Sequence, residues 1–267
     1  MKSGFCATAA LLLAVASPNN AQTSASYVPP AASAALVAGV PFAAGKSVGE
    51  RFRKRFVECD SHDTCDGKKQ RYGCTQDRNE NSALLELPGN VLFYDAKMGI
   101  DADGSPLSKN NPGSTDQADT SLRYPLPGKP SMDADKVPYV VVPGGGFGKQ
   151  MGVQTGDVAA VVYQDKIVYA LVADVGPPCK IGEGSIQLHE QLGHPVCRTR
   201  NANGECTELD NSGIEKNVLY FIFHGSKPRI ISGLTPANVN ARLMIEGPKL
   251  MDQFRPRGAP RNLRVVP

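Results

Sequence analysis

The sequence of 267 residues contains no tryptophan and almost no excess charge. The lack of tryptophan removes the largest aromatic surface on which a bound ring could stack. The 29 Lys and Arg residues against 26 Asp and Glu residues leave a net charge of +3, which is too small to favour a nucleic-acid partner. A hydrophobic fraction of 41%, with 27 Gly and 21 Pro residues, excludes a collagen, a coiled coil and a wholly disordered chain. It predicts one globular domain with many loops.

The N-terminus predicts a secretory signal peptide over residues 1–21. Lys2 precedes an apolar run over residues 5–16, and small residues at Ala16 and Ala21 mark two candidate cleavage sites. The polar residues 17–26 exclude the run of about 20 apolar residues that a membrane anchor needs. We therefore expect a secreted protein, extracellular or periplasmic, that makes no membrane contact after signal removal and is a monomer.

The cysteines predict three disulfides. Cys6 lies in the predicted signal peptide, so six cysteines remain in an oxidising compartment, where disulfides persist. Six cysteines allow 15 pairings, of which a local bridge between Cys197 and Cys206 is the first expected. The spacing of Cys59, His62 and Cys65 also suits zinc, but a secreted chain favours the disulfide interpretation. The predicted disulfide cysteines are Cys59, Cys65, Cys74, Cys179, Cys197 and Cys206.

Composition divides the rest of the chain into three parts. Residues 22–45 are rich in Ala, Ser and Pro and predict a tether. Residues 46–254 predict a β-rich catalytic domain, and residues 255–267, with several Arg and Pro, predict a loose basic tail.

Short runs of Val, Ile, Tyr and Phe between turn-forming residues predict strands, two of which form a hairpin. The predicted strands cover residues 91–100, 138–143, 158–163, 167–173 and 218–223. The fold class expected is mainly β with a few helices, in a small closed β-barrel, of which the double-psi barrel is one form.

Three helices are expected from their start signals. Ser47 and Glu50 have the spacing of a capping box, which predicts a short basic helix to about Val57. A second helix is predicted after Ser185, and a third after Thr235, with Pro236 at its first position.

Two carboxylates in residues 169–185 (YALVADVGPPCKIGEGS) stand at the ends of predicted elements. An apolar strand leads into Asp174, and a Gly- and Pro-rich turn leads to Glu183 just before a predicted helix. Paired carboxylates can hydrolyse a glycosidic bond, one as acid and one as base. The alternative is a turn residue and a helix-start charge, which is the commoner use of such residues.

Residues 169–185 resemble the catalytic segment of the glycoside hydrolase family 75 chitosanases. Residues 96–104 (AKMGIDADG) and 137–143 (VPYVVVP) resemble two further motifs of that family, in the same order. The resemblance covers roughly residues 92–225. It implies an endo-acting hydrolase that cleaves β-1,4-linked glucosamine polymer with inversion, with Asp174 and Glu183 as the catalytic pair. We expect neither a cofactor nor a metal ion.

The resemblance also suggests roles for individual residues. Glu183 is assigned as general acid and Asp174 as general base, because a glutamic acid starts closer to the raised pKa that an acid needs. Asp101 and Asp103 are expected to bind substrate ammonium groups, although an Asx turn explains them equally well or better. Lys97 and Tyr139 complete the expected substrate-binding set. A lone strand lysine such as Lys97 is, however, more often simply exposed.

Charge along the chain supports a cationic polysaccharide as the partner. Residues 86–190 contain 13 acidic and 8 basic residues, a net charge of −5, between flanks of +2 and +5. An acidic centre attracts chitosan or a related amino-sugar polymer.

Two rival functions remain open from the sequence. The first is a barrel enzyme that cleaves peptidoglycan glycan with a single Asp, for which Glu183 is dispensable. The second is a binding module without turnover, which the absence of Trp encourages. Four aromatic residues are candidates to replace Trp as stacking surfaces: Tyr94, Tyr124, Tyr139 and Phe147.

Overall fold

A computed structural model describes residues 27–70, 72, 74, 83–110, 117–210 and 212–255. The predicted signal peptide and nearly all of the predicted tail lie outside these residues. The strands within the described part are β1 (Lys46–Ser47), β2 (Thr64–Cys65), β3 (Lys68–Lys69), β4 (Ala83–Leu87), β5 (Val91–Asp101), β6 (Tyr139–Pro143), β7 (Val158–Tyr163), β8 (Lys166–Gly176), β9 (Glu183–Ser185), β10 (Cys197–Arg200), β11 (Cys206–Leu209) and β12 (Ile214–Phe223).

The helices are short except for the first and the last. They are α1 (Glu50–His62), α2 (Pro106–Asn110), α3 (Phe147–Met151), α4 (Ile186–Gln191), α5 (Lys227–Ile230) and α6 (Val239–Phe254), and a 3₁₀ turn covers Phe42–Ala44. In the part of the chain that the structure describes, no helix is long and apolar enough to cross a membrane.

Six strands close into a barrel. They pair in the order β5, β12, β7, β8, β6 and β9, and β9 returns to pair with β5. Most neighbours are antiparallel, but β6 runs parallel to β8 and β9 runs parallel to β5. Strand β4 extends the sheet beyond β5, and β1 pairs with β4. The mainly β fold with a small closed barrel is therefore confirmed.

Alternate residues of the barrel strands form two separate apolar clusters. One contains Tyr94, Val140, Val172 and Tyr220. The other contains the intervening residues together with apolar residues of α6, a helix that packs on β7 and β8. We call the face that α6 covers the outer face; the first cluster lies on the opposite face of the strands, where it includes Phe52 of α1 and Phe147 of α3.

The contact between α6 and the barrel is close. A Cβ atom at Gly247 would lie 2.2 Å from the ring of Tyr169, so only glycine allows the helix to reach the strand here. Residue 169 belongs to the outer cluster, which agrees with the assignment of the two faces.

The six predicted disulfide cysteines pair as Cys59–Cys74, Cys65–Cys179 and Cys197–Cys206. The local bridge expected between the last two is confirmed. It joins β10 and β11, which form a hairpin with one another. Cys59–Cys74 joins α1 to the segment that follows it, and Cys65–Cys179 joins β2 to the loop before β9. Cys59 and Cys65 are thus in disulfides, which rules out the zinc alternative.

The described part of the predicted tether belongs to the core instead. Leu36, Val37, Val40 and Phe42 are buried in the outer cluster. The segment has few charged residues, but its apolar side chains cover strand surface that would otherwise be in water, and that burial outweighs the flexibility of an Ala- and Pro-rich chain.

Two helix starts differ from the prediction. Ser47 lies in β1, and Gly49 is the N-cap of α1 with a left-handed backbone and no side-chain bond. The capping-box prediction is therefore wrong, and the helix continues beyond Val57 to His62. Helix α6 begins at Val239 rather than after Thr235. The five predicted strands and the helix capped by Ser185 are confirmed within a few residues.

Candidate active site

A β-bulge turns Asp174 onto the outer face of the barrel. Val140 pairs with Val172, but the next residue of β6, Val141, pairs with Asp174, so Ala173 is the extra residue. Residues 168, 170 and 172 belong to the first cluster, and strict alternation would place Asp174 on that face too. The bulge breaks the alternation and re-aims the carboxylate, a use of bulges that is frequent next to active sites.

Glu183 reaches the same face from the other side of β6. It is the first residue of β9, where it pairs with Val141 and with Gly99. Val141 therefore lies between Asp174 and Glu183, one strand away from each. Two interstrand spacings correspond to about 9–10 Å between the Cα atoms. Residues in register on neighbouring strands point to one face, so both carboxylates share a floor formed by Val141.

Asp174 is held by three donors. The backbone N of Ser121 lies 2.9 Å from Asp174 Oδ1, the Ser121 hydroxyl donates to the same oxygen, and the backbone N of Val175 lies 2.8 Å away. A cavity of about 410 Å³ opens beside Ser121. It is lined by Gln117, Ala118, Asp119, Thr120, Ser121 and Arg123.

Glu183 is held by a cation and by a missing side chain. Lys180 Nζ lies 2.7 Å from Glu183 Oε1. The other carboxylate oxygen lies 2.8 Å from the position that a Cβ atom of Gly176 would occupy. Lys180 therefore binds one carboxylate oxygen. The other oxygen occupies space that is open only because residue 176 has no side chain.

Asp101 and Asp103 lie next to Asp174. One carboxylate oxygen from each of the three residues falls within 4.8 Å of the others, and Asp103 is hydrogen-bonded to Asp174. Burial and the neighbouring carboxylates raise the pKa of Asp101 to about 8 and that of Asp103 to about 9. Three carboxyl groups this close cannot all be charged, so the cluster retains protons at neutral pH.

These three aspartates are also the set in the described residues whose oxygens could converge on a metal ion. Protons already neutralise part of their charge, and the metal-independent reaction expected from the sequence stays a prediction. The same protons weaken the expected role of Asp101 and Asp103 as ammonium ligands, since a neutral carboxyl group attracts a cation poorly.

Residues 98–247 match the family model described as fungal chitosanase of glycosyl hydrolase group 75. The match covers more than half of the chain and includes Asp101, Asp103, Asp174 and Glu183. The chain belongs to glycoside hydrolase family 75. A search of the curated proteins finds no match. Membership of this family makes the protein a chitosanase-like glycoside hydrolase with chitosan as its class of substrate.

In this family 75 enzyme, Tyr139 and Lys97 are buried beside the candidate site. Tyr139 is fully buried, and its hydroxyl donates to Asp101 Oδ1 at 2.7 Å. Lys97 is also fully buried, where it pairs with Asp60 of α1 and donates to the carbonyl of Cys74 at 3.1 Å. Neither side chain has exposed surface, and the expected substrate contact stays a prediction for both residues.

The aromatic residues proposed as stacking surfaces are core residues. Tyr94, Tyr139 and Phe147 have no exposed surface, and Tyr124 is 2% exposed. These four rings therefore belong to the core of the described part of the family 75 domain.

Sequence reasoning missed three residues at the site: Ser121, Gly176 and Lys180. Ser121 lies 53 residues from Asp174, and no local pattern joins the two. Lys180 stands three residues before Glu183, a spacing that signals a contact only when the backbone between them is known to turn. Gly176 follows Asp174 by two residues. In an extended strand, residues two apart lie on the same face, so the sequence does indicate that Gly176 is near Asp174.

Proposed function

We propose that this protein is a secreted, endo-acting chitosanase that cleaves β-1,4-linked glucosamine polymer with inversion, using Asp174 and Glu183. The observation that carries the proposal is the position of both carboxylates on one face, in register on either side of Val141. The N-terminal signal pattern and the three disulfides support secretion.

The spacing of the two strands supports inversion. Inverting glycosidases separate their carboxyl groups by about 6.5–9.5 Å, which leaves room for a water molecule between the base and the sugar, whereas retaining enzymes hold them about 5–5.5 Å apart. Strands β8 and β9 are separated by β6, and two strand spacings of about 4.8 Å suit the wider arrangement.

The contacts favour the opposite division of roles from the one expected from residue types. Glu183 is ion-paired with Lys180, and a general base works as a carboxylate. Asp101 and Asp103, whose raised pKa values keep them protonated at neutral pH, each bring a carboxylate oxygen within 4.8 Å of one of Asp174, so a source of protons lies beside Asp174. In this mechanism Asp174 protonates the leaving oxygen, Glu183 takes a proton from water, and the water oxygen attacks the anomeric carbon as the glycosidic bond breaks.

The decisive experiment measures reducing-sugar release from soluble chitosan by Asp174→Asn and Glu183→Gln. Each should lose at least about a thousandfold in kcat, because each removes one partner of the acid/base pair. Asp165→Asn, at the exposed turn between β7 and β8, is the matched control and should keep wild-type activity. The anomeric form of the first product, followed by NMR, reads inversion directly.

The outcomes separate the rivals. Full activity in Glu183→Gln would point to a single-acid mechanism of the kind expected for a peptidoglycan-glycan enzyme. No release by the wild-type protein at mildly acidic pH, together with retained chitosan binding, would indicate a binding module.

A second measurement tests the division of roles. If Asp174 is the acid, Asp174→Asn should recover activity on an aryl glycoside of a glucosamine oligomer, whose leaving group needs no proton. If Glu183 is the base, azide should rescue Glu183→Ala and give a glycosyl azide of inverted configuration. Rescue of the two variants in the reverse pattern would restore Glu183 as the acid.

A further inference from the structure

We infer that Lys180 is a positioning residue for Glu183, and that the disulfide between Cys65 and Cys179 sets its place. This inference rests on the proposed function of Glu183, and it adds a role that neither the family motifs nor the residue types assign. Lys180 acts through the carboxylate of Glu183 and not on the sugar.

The contact between Lys180 and Glu183 is short and sheltered. The Nζ to Oε1 distance is 2.7 Å, and the two side chains are 11% and 8% exposed. An exposed ion pair contributes little, because water and salt screen it. This pair is largely removed from water, so removal of the lysine would leave a buried carboxylate without its cation.

The disulfide fixes the backbone that carries Lys180. Cys179 is the preceding residue, and its bridge to Cys65 in β2 joins parts of the chain separated by 114 residues. Strand β2 packs on α1, and α1 is tied to β5 by the buried pair of Asp60 with Lys97. The loop between β8 and β9 is therefore attached at its centre to a rigid support.

Tyr72 lies near both Glu183 and Lys180. It packs against the buried cysteines of the two bridges. Burial and the charge of Glu183 raise the pKa of Tyr72, and Lys180 opposes the rise, so Tyr72 lies near both charges. Tyr72 and the disulfide of Cys179 therefore lie beside the Lys180–Glu183 pair.

The charged and titratable groups that act on Glu183 come from three parts of the chain. Asp101 and Tyr94 of β5 sense its charge, as does Tyr72 of the segment after α1. Lys180 is the cation in contact with it among the described residues. A positive charge at this position offsets the nearby carboxyl groups and holds one oxygen of Glu183 while the other lies over Gly176.

The experiment compares Lys180→Met, Lys180→Arg and the control Lys136→Met on soluble chitosan across pH. Lys136 makes an exposed pair with Asp133 at the same sequence spacing of three residues. Lys180→Met should lower kcat about tenfold or more, and the limb of the kcat/KM profile that Glu183 governs should move about 1 unit or more to higher pH. Lys180→Arg should restore the wild-type limb, and Lys136→Met should change nothing.

A purely structural lysine would lower the melting temperature without moving the pH limb, and that result would overturn the inference. If Lys180→Met does not fold, Cys65→Ala/Cys179→Ala gives a second reading: it should shift the same limb partway, and an unchanged limb in the folded double variant would also overturn the inference. Loss of activity in Glu183→Gln with a wild-type profile in Lys180→Met would refute this inference alone. Full activity in Glu183→Gln would refute the proposed function itself.

Discussion

Gly176 shows how the site depends on an absent side chain. A Cβ atom there would lie 2.8 Å from Glu183 Oε2 and 3.0 Å from a methyl group of Val141. The first obstacle is the end of a flexible side chain, so the added methyl group displaces the carboxylate more readily than it disturbs the barrel.

Gly176→Ala is therefore expected to lower kcat about ten- to hundredfold, because a displacement of about 1 Å in a reacting group has an effect of this size. The free energy of unfolding should change by about 1 kcal/mol or less. Chitosan hydrolysis and denaturant unfolding measure the two effects. Gly204→Ala controls for a glycine replacement away from the site: its Cβ meets nothing within 4 Å, although its left-handed backbone (φ +77°) also strains an alanine. Equal losses of activity in both variants would argue against a local effect.

Asp103 provides a prediction on pH and stability. Its pKa of about 9, and that of about 8 for Asp101, lie above the ordinary value of about 4. The native state therefore holds protons that the unfolded state has released, and stability should fall as pH rises from about 4 to about 9. Asp103→Asn keeps a neutral donor toward Asp174 and removes one of the two titrations.

The melting temperature of Asp103→Asn should fall less steeply than that of the wild type between pH 5 and 9. His189 acts in the other direction at the acid end, because burial lowers its pKa to about 4, and this limb should be the same in both proteins. Parallel melting curves over the whole range would contradict the assignment of the retained proton to Asp103.

At the scale of elements, the strands that sequence reasoning found are those with a strong apolar signal. Strands β5, β7 and β8 combine β-branched and aromatic residues with burial of nearly all their side chains, and their existence follows from propensity and pattern. The same reasoning located the two catalytic candidates at element ends.

The elements that escaped prediction are held by tertiary contacts. Strand β9 consists of Glu, Gly and Ser, three residues without strand preference, and it exists because β5 and β6 pair with it on both sides. The bulge at Ala173 cannot be predicted from the sequence either, because no glycine or proline marks it. Without the bulge, alternation would place Asp174 on the opposite face of β8 from Glu183, so the candidate residues could be named from the sequence but their arrangement could not be predicted.

At the scale of the whole molecule, the disulfides differ in what they join. Cys65–Cys179 closes a loop with a sequence separation of 114, whereas Cys197–Cys206 closes one of 9. Chain entropy predicts a stabilisation of about 4–5 kcal/mol for the long loop and about 3 kcal/mol or less for the short one.

The double variants Cys65→Ala/Cys179→Ala and Cys197→Ala/Cys206→Ala should therefore differ by about 2 kcal/mol in their free energy of unfolding. The first should be the less stable, as measured by denaturant unfolding at neutral pH. The Cys197–Cys206 variant should keep its chitosan hydrolysis, because its hairpin carries none of the site residues. A larger loss of stability for the local pair would mean that native contacts, and not loop length, dominate.

The position of β9 in the barrel links catalysis to the completion of folding. This three-residue strand is the seam at which β5 and β6 meet, and its first residue is Glu183. Under the proposed mechanism, a chain whose seam is still open holds Asp174 on one strand without the second carboxylate in register, so a partly folded molecule should have no working acid/base pair. The recovery of enzyme activity during refolding should therefore report when β9 pairs with β5 and β6.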